Sequence, residues 1–433
     1  MKIQLIHPPH PAALEDRLDA PLGLLYVASS LRRAGHNVAI LDLSGIERSR
    51  WKIPEADIYG ITSFLPTMEI SADIARLCKE RSPEAKIIGG GANFTSLVEM
   101  GLEQYIPEEF DSIVIGAGEL AVLDLVADMP NIKPRYSRPI GDLDSLAEPD
   151  YSMVDLRSYQ RKINGHSMVS VLTSRGCSMR CSFCVVNVLY KKAKFRSPEA
   201  VAKEIQGIID KYGFRSFNFM DDTFLIDKPR THKLLELLEP LKITFRCHGR
   251  AGFDTRDDYI KLKKAGCKQI CWGIESGSQF ILDQMNKRAT VIQGKQAIAW
   301  AKELGILDRI FLIVGFPGES EKTLDDTRRF IEEADPSQHF VSTFQPYPGT
   351  DVWREPAKYG VTKIYRNFSR YIQIHGNNLG GGCNVDTWWA SQEEMDSLER
   401  GFRQWIGDRV MYGPLQDYER KIETEEIQCQ NLF

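Results

Sequence analysis

Three cysteines, Cys177, Cys181 and Cys184, fall within the stretch "TSRGCSMRCSFCVV" at the spacing Cys-x-x-x-Cys-x-x-Cys. Thiolates are strong ligands for soft metals, and three on one short loop can hold zinc or iron. Structural zinc takes four protein ligands, often as two separated Cys-x-x-Cys pairs. Here the nearest further cysteine is Cys247, in a different segment. An iron–sulfur cubane is usually held by four thiolates; with three, one iron keeps a position open to a small molecule. Three inert thiols and a zinc site borrowing a distant ligand remain as alternatives. A polar loop flanked by glycine is, however, a poor place for inert core cysteines.

The loop must be positioned by what precedes it, and "MVSVLTS" reads as a buried strand ending at the triplet. Five more strand patterns follow: "SFNFMDD", "ITFRCHGR", "QICWGIES", "RIFLIVGF" and "HFVSTFQP". Helical patterns such as "PEAVAKEIQGIIDKYG" and "VIQGKQAIAWAKELG" lie between them. A full eight-unit barrel takes roughly 250 residues, more than this segment supplies, so the expectation is a partial, open barrel of six units. The triplet then sits on the first loop at the carboxyl face, where barrel enzymes carry their chemistry. Other strand ends bring Asp221, Asp222, Arg250 and Glu275, followed by the turn "GFPGES" with Gly315 and Gly318. A guanidinium such as Arg250 can clamp a carboxylate bidentately. A capping aspartate pair or a surface salt bridge is the plainer reading of each residue alone.

The front of the chain alternates differently. "KIQLIH", "NVAILDL", "IYGITSF", "KIIGGG" and "SIVIGAGE" read as strands, with helical stretches between them, which predicts a doubly wound parallel sheet. Glycines follow two of these strands, Gly89–Gly91 and Gly116 with Gly118, at the edge where such sheets bind ligands. A dinucleotide fingerprint needs Gly-x-Gly-x-x-Gly after the first strand, and "LIHPPHP" has no glycine. The division expected is 1–130 for this domain, 131–166 for a Pro- and Asp-rich linker, 167–353 for the barrel and 354–433 for a cap region.

Composition sets the outer limits. Of 433 residues, 42% are apolar and 26% charged, the balance of a globular protein rather than a disordered chain. With 55 basic and 59 acidic residues the net charge is -4, which offers no electrostatic footprint for nucleic acid. No apolar run is long enough to span a bilayer. The start "MKIQLIHPPHP" reads as a buried strand rather than a secretory signal, so a cytoplasmic location is expected. Nine cysteines, an odd number, argue against a disulfide framework.

Taken together, these motifs resemble those of radical S-adenosylmethionine (SAM) enzymes. The triplet, with Phe183 before its last cysteine, matches that superfamily's signature over a region from about Met168 to Trp353. The resemblance implies a 4Fe-4S cluster on Cys177, Cys181 and Cys184, whose open iron is chelated by SAM. It implies SAM contacts from Phe183, Asp221, Asp222, Arg250, Glu275 and Gly315. The front domain resembles the cobalamin-binding domain fused to such barrels in one large class. That likeness places Thr62, Ser63, Gly89, Gly90, Gly91, Gly116, Gly118 and Glu119 around cobalamin. Two departures bear on this. The cobalt-ligating Asp-x-His-x-x-Gly is replaced by "HPPHPAA", so base-off cobalamin with no imidazole from His7 or His10 is expected. "GAGE" also stands where relatives commonly show Gly-Glu-Gly-Glu.

The fold class implied is α/β: a doubly wound, Rossmann-like cobalamin-binding domain, a partial (β/α)6 radical SAM barrel and a mainly helical C-terminal cap. The function implied is a cobalamin-dependent radical SAM enzyme, foremost a methyltransferase for an unactivated carbon. Its partners would be a small-molecule or natural-product substrate and an external electron donor of flavodoxin or ferredoxin type. A cyclase or rearrangement enzyme with both cofactors, and a radical SAM enzyme with a cofactor-free front domain, are the alternatives. A methylthiotransferase is disfavoured, since residues 1–150 hold only Cys78. A non-catalytic iron–sulfur scaffold would leave Arg250 and Glu275 without purpose. No catalytic side chain is assigned. "HGNNLGGGCNVDTWW" is expected to cover the barrel mouth, with Gly380–Gly382 as a pliant run.

Overall fold

Near-continuous apolar strands build two parallel sheets, as expected where helices cover both faces. The computed structural model describes residues 1–11, 13, 15–372 and 382–407. Most of the glycine run at 380–382 and the stretch from 408, with Cys429, lie outside the described residues.

The first sheet comprises β1 (Lys2–His7), β2 (Asn37–Asp42), β3 (Ile58–Thr62), β4 (Lys86–Gly90), β5 (Ser112–Val114) and β6 (Arg135–Tyr136). Their order is β2-β1-β3-β4-β5-β6, all parallel, so the chain reverses direction across the sheet between β1 and β3. Helices α1 (Leu22–Arg33) and α4 (Gly118–Ala127) cover one face, where Leu24, Ala28 and Leu125 pack on Ile3, Leu5 and Val114. α2 (Met68–Arg81) covers the other through Ile74, Ala75 and Cys78, and α3 (Ala92–Glu99) follows β4. β6 lies within the segment read as linker, which therefore supplies the last strand of this sheet.

The second sheet runs β7 (Val169–Val171), β8 (Ser216–Phe219), β9 (Thr244–Gly249), β10 (Cys267–Glu275), β11 (Leu307–Val314) and β12 (Gln338–Thr343). Neighbours in space are neighbours in sequence, every pair is parallel, and β7 and β12 form the two open edges. This is the open six-stranded barrel that the strand count predicts. The crossover helices are α5 (Pro198–Tyr212), α6 (Lys228–Leu238), α7 (Arg256–Lys264), α8 (Val291–Glu303) and α9 (Glu321–Ala334). α5 shows why its segment is helical: Ser197 accepts from Ala200 N at 3.2 Å, Pro198 opens the first turn and Gly213 closes the last in the left-handed region. Phe217, Phe219, Phe224 and Phe245 are fully buried in the shared core, each stabilising the fold by about 2–3 kcal/mol.

Residues 361–364 and 385–387 pair antiparallel, and α10 (Gln392–Ile406) follows. α10 buries Phe402 and Ile406 in the barrel core, and Arg403 donates to Val341 O at 3.1 Å. It thus shields the exposed β12 edge, which would otherwise invite pairing with another chain.

The two domains are fastened to each other. Leu25 of α1 packs in the barrel core beside Tyr151. Asp19 accepts from Arg161 Nε at 2.7 Å, Ser170 Oγ at 2.7 Å and Asn218 Nδ2 at 3.1 Å, tying the front domain to the linker and to β7 and β8.

Candidate active site

The cysteine loop is held at its base by the protein's own hydrogen bonds. Ser174–Arg175 pairs antiparallel with Lys194–Phe195, which clips the two ends of the loop together. The buried Asp221 carboxylate at the end of β8 accepts from Thr173 N at 2.7 Å, Thr173 Oγ1 at 2.5 Å and Ser174 Oγ at 2.7 Å. Arg230 of α6 adds bonds to Thr173 Oγ1 and Thr173 O. Further along, Ser182 N donates to Met285 O at 2.9 Å and Asn286 Nδ2 to Arg180 O at 2.7 Å. The loop geometry is therefore fixed by the protein.

Cys177, Cys181 and Cys184 line one cavity of about 320 Å³ together with Phe183, Asp221, Asp222, Arg250 and Glu275. Those five come from the loop and the ends of three strands, so the motifs scattered through the sequence converge. Among the described residues, no three ligating side chains meet at one point as a single ion requires. Three thiols spread around a cavity suit instead a cluster whose irons are ligated separately. Burial pushes the Cys184 thiol up to about 12, so ligation there must displace a proton. Arg250 Nη1 donates to Cys181 Sγ at 3.4 Å, while its buried Nη2 has no partner. That orphaned donor beside the cysteines fits a ligand carboxylate.

Glu275 is presented by an irregular strand end. Its φ is +68°, and the β10–β11 register slips between Gly273 and Glu275. Such a conformation in a non-glycine residue costs about 1–3 kcal/mol and persists only where the surroundings impose it. Lys287 Nζ donates to Glu275 Oε1 at 2.6 Å, and both side chains are buried. The same ammonium stands 5.9 Å from the Phe183 ring centre. Lys287 follows a short helix rather than a strand, so strand-end reading overlooks it. His248 also lines the cavity; burial and the nearby Arg246 charge lower its pKa to about 3, which keeps the imidazole neutral.

Two of the residues expected at SAM also carry structural bonds of their own. Both Asp221 oxygens are engaged with Thr173 and Ser174, so this carboxylate positions the loop; Asp222 Oδ2 accepts from Gly176 N at 2.9 Å. Gly315 is absent from the cavity wall: it packs against buried Cys383 and donates to Glu319 Oε2 at 2.7 Å.

A second cavity, about 410 Å³, opens at the carboxyl ends of β3, β4 and β5, beside the point where the first sheet reverses. Thr62, Gly89, Gly90, Gly91, Gly116, Gly118 and Glu119, seven of the eight residues that the resemblance sets around cobalamin, line it. Ser63 does not. Its buried hydroxyl bonds Asn93 Nδ2 at 3.1 Å and Thr67 Oγ1 at 3.3 Å, so it shapes the turn from behind. Neither His7 nor His10 lines the cavity. Gly91 has φ +118°, and a Cβ there would stand 2.6 Å from Ser63 O. This crowded glycine turn lets a bulky ligand approach backbone, as a corrinoid side chain requires. The far wall belongs to the barrel: Leu172, Arg175, Leu189, Tyr190 and Met220. Met220 lines both cavities.

Two family models match the chain. Residues 171–331 match the radical SAM superfamily and residues 20–126 match the B12 binding domain. The chain belongs to the class of radical SAM enzymes that carry a cobalamin-binding domain. An uncharacterized methyltransferase of Pyrococcus horikoshii is 29% identical over 405 residues, 86% of this chain and 87% of that protein. The anaerobic magnesium-protoporphyrin IX monomethyl ester cyclase of Cereibacter sphaeroides is 26% identical over 394 residues, 82% of this chain and 63% of the cyclase. Among solved structures, the radical SAM methyltransferase TsrM from Kitasatospora setae, with cobalamin and a 4Fe-4S cluster bound, superposes with a TM-score of 0.65 at 17% identity. That match covers 81% of this chain and 73% of TsrM, and it speaks to the fold.

Proposed function

We propose that this enzyme is a cobalamin-dependent radical SAM methyltransferase acting on an unactivated carbon of a small-molecule substrate. The observation that carries the reading is Met220, which lines both the cysteine-lined cavity and the glycine-lined cavity. A substrate lying over Met220 would face both. When bound, the cluster with SAM supplies a deoxyadenosyl radical and cobalamin supplies a methyl group. The protein's part is positional. Cys177, Cys181 and Cys184 would hold the cluster. Arg250 Nη2 would take the SAM carboxylate, and the Glu275–Lys287 pair would offer a carboxylate to sugar hydroxyls. The apolar walls, Leu172, Leu189 and Met220 among them, would exclude water that quenches radicals. Thr62 and the Gly89–Gly91 turn would face the cobalamin tail. An external donor of flavodoxin or ferredoxin type would supply electrons.

Ring closure is the second reading, favoured by the similarity to the magnesium-protoporphyrin ester cyclase, a protein that this chain spans by less than two thirds. The test is anaerobic reconstitution with iron, sulfide, cobalamin and SAM, then dithionite. Wild-type protein should bind iron, show a corrin absorption band and release 5′-deoxyadenosine. Replacing Cys177, Cys181 and Cys184 by alanine should abolish iron binding and cleavage, and retention of both would overturn the reading. Product mass then decides between a gain of one CH₂ and an unmethylated cyclic product.

A further inference from the structure

The cluster loop has an outer face as well as an inner one. A broad open hollow of about 710 Å³, whose lining does not include Glu275, reaches Cys177, which lines this hollow and the SAM-side cavity alike. Its rim carries Arg180, Lys191, Lys192 and Lys228. Lys228 is neutralised by Asp258 at 2.8 Å. Arg180, Lys191 and Lys192 are exposed and form no ion pair among the described residues. The single carboxylate in the lining, Asp227, caps α6 by accepting from Arg230 N at 3.1 Å. Three unpaired cations therefore ring the solvent approach to one cluster cysteine, on a chain whose net charge is -4. Other exposed cations of the barrel are paired, as in Arg256–Glu303 and Lys233–Glu199. A local excess of one sign against the net charge is the pattern of a steering patch.

We propose that this hollow is the docking surface for an acidic one-electron donor protein, resting on the reading of Cys177 as a cluster ligand. An acidic partner is selected because the rim is cationic and the approach leads to Cys177 without crossing the cavity that would hold SAM. The step is electron transfer only. The donor's reduced flavin loses one electron, the oxidised cluster gains it, and no bond in either protein forms or breaks. Charges of this kind act mainly on encounter rate and on salt dependence.

The test uses the anaerobically reconstituted full chain, an acidic bacterial flavodoxin as probe, and the double variant Lys191→Glu/Lys192→Glu. Affinity for oxidised flavodoxin is measured by fluorescence titration from 20 to 300 mM salt, alongside SAM cleavage driven by flavodoxin or by dithionite. In the wild type, binding should weaken steeply with salt. In the variant, affinity at low salt should fall about tenfold and its salt dependence should flatten. Dithionite-driven cleavage should be unchanged. Unaltered flavodoxin affinity would overturn the proposal, as would equal loss of dithionite-driven cleavage, which would assign the lysines to the cluster site itself. The neutral variant Lys191→Gln/Lys192→Gln should give an intermediate affinity; a value no different from wild type also counts against it. If wild-type protein bound flavodoxin in this manner yet released no deoxyadenosine with dithionite, the functional reading would fail while the docking surface stood.

Discussion

Arg175 Nη2 lies 2.5 Å from Glu119 Oε1, both side chains are at most one tenth exposed, and the pair joins the cluster loop of the barrel to the first turn of α4 in the front domain. The Arg175 guanidinium also stands 5.0 Å from the Tyr26 ring centre on α1. Glu119 lines the glycine-edged cavity, and Arg175 precedes Cys177 by two residues. The carboxylate that sequence reading assigned to cobalamin is thus also the anchor between two cofactor sites.

Removing one partner of a buried pair leaves the other charge desolvated, which costs about 3–5 kcal/mol. Glu119→Gln and Arg175→Leu should therefore each lower the denaturant midpoint and loosen the domain contact. The double variant should recover much of the loss, because no lone charge remains buried. Denaturation of the three variants measures this directly; additive losses would show that the pair carries no coupling.

Most of this architecture is legible in the sequence because strand ends are. Cys177, Arg250 and Glu275 sit where apolar runs stop, and in a parallel α/β barrel every such stop reaches the same face. The converging side chains need no long-range information. Lys287 is different, since it follows a short helix and acquires its role only by meeting Glu275 in space. Asp221 is harder still. A carboxylate at a strand end reads as a ligand, and only the placement of Thr173 and Ser174 shows its oxygens to be engaged. Gly315 packs against Cys383, 68 positions on in a segment with no periodic pattern, a contact that strand ends do not announce. The strand at Arg135–Tyr136 is two residues long, too short to show alternation.

Behind Gly315 lies a titrating group with a defined effect on stability. Glu319 is 1% exposed, and burial raises its carboxyl to about 8 despite the hydrogen bond from Gly315 N. In the unfolded chain it titrates near its ordinary value of 4.5. The folded state therefore holds a proton that the unfolded state releases between those values. Raising the pH through this window favours unfolding, and the penalty is complete above about 8. Glu319→Gln should be more stable than wild type at pH 8, by a few kcal/mol at most, and near parity at pH 4. Thermal unfolding at both values tests the sign, and a variant advantage larger at pH 4 would contradict it.

Two glycines allow the cofactor sites to be disabled separately. At Gly91 an added Cβ would meet Ser63 O at 2.6 Å in a backbone conformation that L side chains rarely adopt. Because its two nearest backbone neighbours, Ser63 O and Ser63 N, cannot swing aside as a side chain would, the turn beside Thr62 must shift. At Gly273 an added Cβ would fall 2.2 Å from Glu275 Oε1 and 2.9 Å from Lys287 Nζ, displacing the buried pair beside the cysteines. Gly91→Ala should therefore reduce cobalamin retention at least tenfold, about 1.4 kcal/mol of binding, while iron content and dithionite-driven deoxyadenosine release stay near wild type. Gly273→Ala should do the reverse, keeping the corrin band and losing SAM cleavage. Gly91 follows β4 of the first sheet and Gly273 lies in β10 of the second, so neither strain reaches the other site through a shared element. Corrin absorbance, iron analysis and nucleoside chromatography on the same preparations separate the outcomes. Parallel loss of both activities in both variants would mean that the cavities form one cooperative unit, and the division of labour drawn around Met220 would be wrong.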